Sequence, residues 1–186
     1  MKELWERIES WLKENHSEGL NELNEGASDE LIQETEQFLS IEFSEDVKEF
    51  YKIHNGTSWD FNLIDGWLLL PLEDVQNQWK VWKDLLDRGD FAKYKCTPHE
   101  AIRDDWWNDK WIPLTSDGCG NHDCLDLAPT EKGRVGQIIK MWHDDDTRPL
   151  VADSFREWLE NYIDALEASE YVYSEDYGGI VSVDDI

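Results

Sequence analysis

The sequence predicts an α+β domain in which helices pack against a central, mostly antiparallel sheet. Apolar residues recur at helical spacing in the first third of the chain and again near its end. Short apolar or alternating runs, separated by turn residues, fill the middle. With 186 residues, 40% of them hydrophobic and 11 of them Trp, the chain is long enough to bury one core of its own.

Three helices are predicted before the first strand. The first is amphipathic and ends near Asn15, and a polar linker follows as far as Gly26. Ser28 and Ser44 are the predicted N-caps of the next two helices, because a serine hydroxyl can accept a hydrogen bond from a free amide of the first turn. Gly56, which tolerates positive φ, ends the third helix.

Two apolar runs, residues 61–64 and 67–70, are separated by Asp65 and Gly66 and predict a β-hairpin. Pro71 is suited to the first turn of the longest helix, and Gly89 ends it. These assignments place the first sheet elements directly before that helix.

The second half predicts a strand over 110–114, an antiparallel pair formed by 124–127 and 135–142, and a last helix capped near Ser154. After that helix, alternating tyrosines form an edge strand or stay loose. We therefore divide the chain into an N-terminal helix and linker (1–26), a main domain (28–166) and an acidic C-terminal tail (167–186).

The charge restricts the possible partners. Lys and Arg number 17 against 43 Asp and Glu, a formal net charge of −26, and the acid is concentrated at the two ends of the chain. A protein needs clustered basic residues to bind nucleic acids or anionic membranes, so neither is an expected partner. A basic protein is an expected partner, because complementary electrostatic potentials accelerate association. Three cysteines and no apolar leader predict a cytoplasmic protein without a disulfide framework, and we expect a monomer.

No motif predicts catalysis, a cofactor or a metal. Cys119, His122 and Cys124 lack a second ligand pair of the spacing that zinc sites use. The run from His143 to Asp146 lacks the alternation and the glycine of a calcium loop, and aspartates after a strand are typical of turns. Phosphate-binding glycine patterns and a serine nucleophile turn are absent. We therefore predict binding rather than chemistry.

Aromatic residues set among acids are the candidate binding residues. A tryptophan in a polar loop either folds back under the strands or is exposed as an anchor for a partner, and the sequence leaves both open. A surface of this kind suits a partner rich in Lys and Arg. The candidates are Trp59, Asp60, Asp104, Asp105, Trp106, Trp107, Asp144, Asp145 and Asp146.

Several motifs resemble the SUKH superfamily, which includes fungal cell-wall-assembly regulators and bacterial immunity proteins. The motifs occur in the order of that family over residues 28–166. They are Phe50-Tyr51-Lys52-Ile53-His54-Asn55-Gly56, Gly66-Trp67-Leu68-Leu69-Leu70-Pro71-Leu72-Glu73, Trp107-Asn108-Asp109-Lys110-Trp111-Ile112-Pro113-Leu114 and Gly136-Gln137-Ile138-Ile139.

The resemblance implies a SUKH-like α+β fold and a protein that acts by binding. It implies first an immunity protein, or antitoxin, that neutralises a cognate and basic toxin such as a nuclease. The alternative is an intracellular signalling or assembly scaffold of the cell-wall-regulator type. An acidic protein could occupy the basic groove of a nuclease, which the net charge fits.

Overall fold

The computed structural model describes residues 1–186 and confirms the α+β class. The α-helices are α1 (Lys2–Asn15), α2 (Asp29–Leu39), α3 (Glu45–Ile53), α4 (Leu72–Asp87) and α5 (Phe155–Glu167). The strands are β1 (Leu68–Leu69), β2 (Thr97–Pro98), β3 (Trp111–Pro113), β4 (Thr115–Ser116), β5 (His122–Asp126), β6 (Gln137–Met141), β7 (Thr147–Arg148), β8 (Leu150–Ala152), β9 (Tyr171–Ser174) and β10 (Gly179–Ser182). Two 3-10 helices span Ser17–Glu22 and Val183–Asp185.

The central sheet has four antiparallel strands in the order β3-β5-β6-β8. Leu125 lies opposite Ile112 on one side and Ile138 on the other. All three side chains are buried, as expected for strands covered by helices. The predicted pairing of β5 with β6 is confirmed.

The helix caps follow the sequence. Ser28, Ser44 and Ser154 each accept a hydrogen bond from the amide three residues further on, at the start of α2, α3 and α5. Helix α4 begins directly after Pro71. The serines satisfy free amides of the first turn, and proline fits the start of a helix because it has no amide to satisfy, so these helix starts could be predicted from the sequence.

Helix α1 belongs to the same hydrophobic core as the rest of the chain. The indole N–H of Trp5 donates to the carbonyl oxygen of Phe50 on α3 at 3.1 Å. The indole N–H of Trp11 donates to the carbonyl oxygen of Leu166 on α5 at 3.0 Å. Buried indoles therefore attach α1 to two other helices through directional bonds.

The hairpin predicted over 61–70 is reduced to one bridge between Ile64 and Trp67, around a turn in which Asp65 has φ 50°. Strand β1 pairs instead with β4, where Leu68 lies opposite Ser116 and Leu69 lies opposite Thr115. The prediction was wrong in its pairing because short apolar runs do not reveal a distant partner.

The C-terminal segment is an ordered hairpin of β9 and β10. The Asn62 amide donates to the carbonyl oxygen of Gly178, and the Ile180 amide donates to that of Asn62. Ile180 is fully buried. The hairpin therefore packs on the domain, which corresponds to the strand alternative of the sequence analysis and not to the loose one.

No helix has both the length and the apolar composition needed to span a membrane.

Candidate functional site

Two acidic loops meet where β2 and β7 pair in parallel. Thr97 lies opposite Thr147, and Pro98 lies opposite Arg148. The Thr97 amide donates to the carbonyl oxygen of Asp146 at 2.8 Å. The chain before β2 is thereby attached to the aspartate-rich turn before β7.

Arg148 connects this turn to the loop that contains Trp106. Its guanidinium is fully buried and donates to the carbonyl oxygens of Asp145 (2.7 Å), Thr147 (2.5 Å) and Trp106 (2.7 Å). No carboxylate forms an ion pair with it. Burial lowers the pKa of the Arg148 guanidinium. Arg148 therefore holds the two loops together through their backbone carbonyl oxygens and not through their carboxylates.

An open groove of about 530 Å³ lies beside these loops. Tyr94, whose exposed fraction is 58%, packs against Trp106 with 4.6 Å between ring centroids. The Arg148 guanidinium lies 5.1 Å from the centroid of the Trp106 ring. We call this feature the aromatic groove; it is lined by Trp82, Leu85, Asp90, Phe91, Tyr94, Trp106, His143 and Asp144.

The aspartates around the aromatic groove differ in how they are paired. Asp105 accepts hydrogen bonds from Arg103 and Asn108. Asp145 accepts two from Thr147, which lower the pKa of its carboxyl group.

The carboxylates of Asp104, Asp144 and Asp146 form no ion pair with Lys or Arg; the only close cationic candidate is His143, 3.5 Å from Asp144. All three are exposed. These three charges are therefore available to a partner.

The structure brings most of the predicted binding residues together. Asp104, Asp105, Trp106 and the three aspartates 144–146 lie on the two loops that Arg148 connects. Burial raises the pKa of the neighbouring Cys96 thiol, and the charges of aspartates on both loops raise it further. The Cys96 thiol also donates a hydrogen bond to the carbonyl oxygen of Asp105 at 3.0 Å, so it lies beside the first of the two loops.

The interpretation of Trp107 as an exposed anchor is wrong. Its side chain is only 2% exposed and packs on Trp82 and Trp79, with 6.3 and 6.2 Å between ring centroids. Trp106 and Trp107 are adjacent in the chain, yet one faces the groove and the other faces the core. Of the two alternatives for a loop tryptophan, Trp107 takes the packing one.

Trp59 and Asp60 are exposed but lie in a different place. Trp59 is 71% exposed, in a turn whose Ser58 amide donates to the carbonyl oxygen of Glu22. The next residues pair with the C-terminal hairpin at Gly178. No residue of this turn lines the aromatic groove, so Trp59 and Asp60 form a separate exposed feature.

Sequence reasoning missed Phe91, Tyr94 and Arg148. Phe91 and Tyr94 lie three residues apart in a polar segment that has no clear periodicity, and this spacing was the available signal. Arg148 was detectable as the first basic residue after an aspartate run.

The histidine and cysteines considered as metal ligands have other roles. His122 is fully buried, accepts from the Trp82 indole at 3.2 Å and donates from Nδ1 to the carbonyl oxygen of Thr115 at 2.6 Å. Burial lowers its pKa. Cys124 is fully buried and Cys119 is exposed. No group of three His, Cys, Asp or Glu side chains is arranged to hold a metal ion.

Comparison with known proteins identifies the family. The model of the SMI1 / KNR4 family (SUKH-1) matches residues 26–161. The chain belongs to this family. The SUKH resemblance is confirmed, and the aromatic groove of this SMI1/KNR4 domain lies wholly within the matched residues.

Relatives of the SMI1/KNR4 domain include three fungal proteins. The cell wall biosynthesis/cell cycle regulator smi1 of Schizosaccharomyces pombe is 28% identical over 94% of this chain and 38% of its own length. The glucan synthesis regulatory protein of Neurospora crassa is 28% identical over 92% of this chain and 39% of its own length. The cell wall assembly regulator SMI1 of Saccharomyces cerevisiae is 25% identical over 92% and 41%.

The chain thus spans about two fifths of the length of these relatives. Their names describe regulators and not enzymes. They favour the cell-wall-regulator alternative of the sequence analysis over the antitoxin interpretation, which receives no support from them.

Proposed function

We propose that this chain is a non-catalytic binding module of a cell-wall regulatory or assembly protein, and that its aromatic groove binds a basic segment of a protein partner. The observation that carries the proposal is the set of three exposed carboxylates, Asp104, Asp144 and Asp146, that lack a Lys or Arg partner beside an aromatic surface. Aromatic anchors and complementary charge are typical of protein-binding sites.

The relatives support a regulatory role through their names, and the charge supports the class of partner. A surface with a net charge of −26 repels nucleic acid and attracts cationic protein segments. Trp106 supplies apolar area at the centre of the site and the aspartates supply its rim, the arrangement in which a few central residues carry most of the affinity.

The groove also has a cationic side. Lys93 and Lys95 flank Tyr94, and neither forms an ion pair. A basic segment should therefore approach from the side of Asp104 and Asp144. Replacing both lysines with glutamate should tighten its binding.

The test uses a short capped peptide of alternating lysine and leucine, titrated by calorimetry at low salt. The triple substitution of Asp104, Asp144 and Asp146 by Lys should weaken its binding by about tenfold to a hundredfold, equivalent to about 1.4–3 kcal/mol. Trp106→Ala should weaken it by a similar factor, since central aromatics are frequent hot spots.

The matched control reverses three exposed acids elsewhere, Glu14, Glu30 and Glu34, none of which forms an ion pair. It changes the net charge equally and should leave most of the affinity intact. Equal losses in the two triple variants would show that only the overall charge matters and would refute a groove-specific site.

A further inference from the structure

A second, smaller cavity lies between helix α5 and the central sheet. Its volume is about 190 Å³, and strand β5 contributes Asp123 while β6 contributes Lys140. The turn residue Asp65 also lines it. Exposed Val151 and Asn161 mark its opening to solvent. None of its lining residues belongs to the aromatic groove.

Asp123 is the unusual residue in this cavity. Its side chain is only 4% exposed, yet its Oδ1 atom accepts no hydrogen bond. The nearest cation is Lys140, whose Nζ lies 3.3 Å from that oxygen and also 3.9 Å from the centroid of the Trp67 ring. A buried carboxylate oxygen without a hydrogen bond is costly, so this atom favours a donor that can enter the cavity.

The cavity has more negative than positive charge. Asp65 and Asp123 both line it, and Lys140, which pairs with Asp123, is the only basic residue of the lining. Burial raises the pKa of both carboxyl groups, and the Asp65 charge raises that of Asp123 further. A second cation in the cavity would favour the ionised form of both groups.

The walls restrict the shape of such a cation. Trp158, Tyr162 and Tyr171 present aromatic surface around the carboxylates. An alkyl stem packs well on such surface while its charged end reaches an anion. The volume lies below the roughly 300 Å³ at which pockets for larger organic ligands begin, so one side chain fits better than a cofactor.

We propose that this cavity binds the ammonium group of a lysine side chain from another protein, held by Asp65 and Asp123. It is a site separate from the aromatic groove and does not depend on it. A protein that presents one exposed lysine on a narrow segment is the class of partner that fits.

The probe is N-acetyl-lysine methylamide, titrated into isotopically labelled protein and followed by NMR. We expect saturable shifts at the Trp158 indole and at Tyr171. The neutral analogue, N-acetyl-norleucine methylamide, should give none. Asp65→Asn should weaken binding by about tenfold, since it removes one charge and asparagine also tolerates the positive φ of this turn.

Asp176→Asn, an exposed acid without an ion pair in the β9–β10 turn, is the matched control and should bind the probe unchanged. Trp106→Ala should also bind it unchanged, which separates this site from the groove. Equal shifts with lysine and norleucine, or shifts that do not saturate, would overturn the proposal and leave a water-filled cavity. The comparison of the two probes needs no variant.

Discussion

Replacing Arg148 by methionine tests how the aromatic groove is held together. The substitution keeps an unbranched apolar side chain and removes the three hydrogen bonds to backbone carbonyl oxygens. A bond from a charged donor contributes about 1.5–3 kcal/mol when buried, and about 1 kcal/mol is a fair value where water can reach the released carbonyl. The flanking aspartates are exposed, so three bonds at the lower value give a loss of about 3 kcal/mol.

Arg148→Lys separates charge from geometry. A lysine ammonium keeps the positive charge but cannot span three carbonyl oxygens that a planar guanidinium reaches on different sides. We expect a loss of about 1–2 kcal/mol for lysine, between wild type and methionine. Urea unfolding followed by tryptophan fluorescence measures both values.

Hydrogen exchange shows where the loss occurs. The Thr97 amide, which bonds across the β2–β7 pair, should exchange faster in Arg148→Met than in wild type, while amides of β5 should change less. Arg134→Met is the control, because Arg134 is exposed and its 3.4 Å contact with Asp153 is a surface pair worth little. A stability loss below about 0.5 kcal/mol together with unchanged Thr97 exchange would refute the role assigned to Arg148.

Three further predictions concern the core and the pH dependence. Trp107→Ala should lower the free energy of unfolding by about 3–5 kcal/mol in urea titrations, whereas Trp106→Ala should cost about 1 kcal/mol; equal costs would contradict their opposite orientations. Trp11→Phe should cost about 1–2 kcal/mol by removing the bond to the carbonyl oxygen of Leu166, and no loss would mean that α1 is not anchored there. His122 has a lowered pKa in the folded state, so the unfolded chain binds its proton first and stability should fall as the pH drops below about 6.5; this step should vanish in His122→Gln.

The helices of this fold could be predicted because their signals are local. Serine caps and apolar positions at helical spacing lie within a few residues of one another, and α2 to α5 form where they indicate. The pairing of β1 with β4 could not be predicted, because two-residue strands carry no pattern that specifies a partner.

The candidate site was predictable in its charge but not in its architecture. The aspartates 104, 105 and 144–146 stand out in sequence, and the structure places them together. The path of an irregular loop over α4 decides that Trp107 packs on Trp82 while Trp106 packs on Tyr94. The sequence of such a loop has no periodicity from which the orientation of either tryptophan could be predicted. The place of Tyr94 in the aromatic groove could not be predicted either, because Tyr94 packs against Trp106.

Arg148 explains how Asp104, Asp144 and Asp146 can share one surface without being neutralised by Lys or Arg. Like charges on neighbouring loops repel, so the loops need a cation to stay together. A cation bound to the carboxylates would use up the charge that a partner needs. Arg148 binds backbone carbonyl oxygens instead, and its burial keeps it from competing for the carboxylates of Asp104, Asp144 and Asp146. The same guanidinium therefore stabilises the groove and leaves its negative charge available for binding.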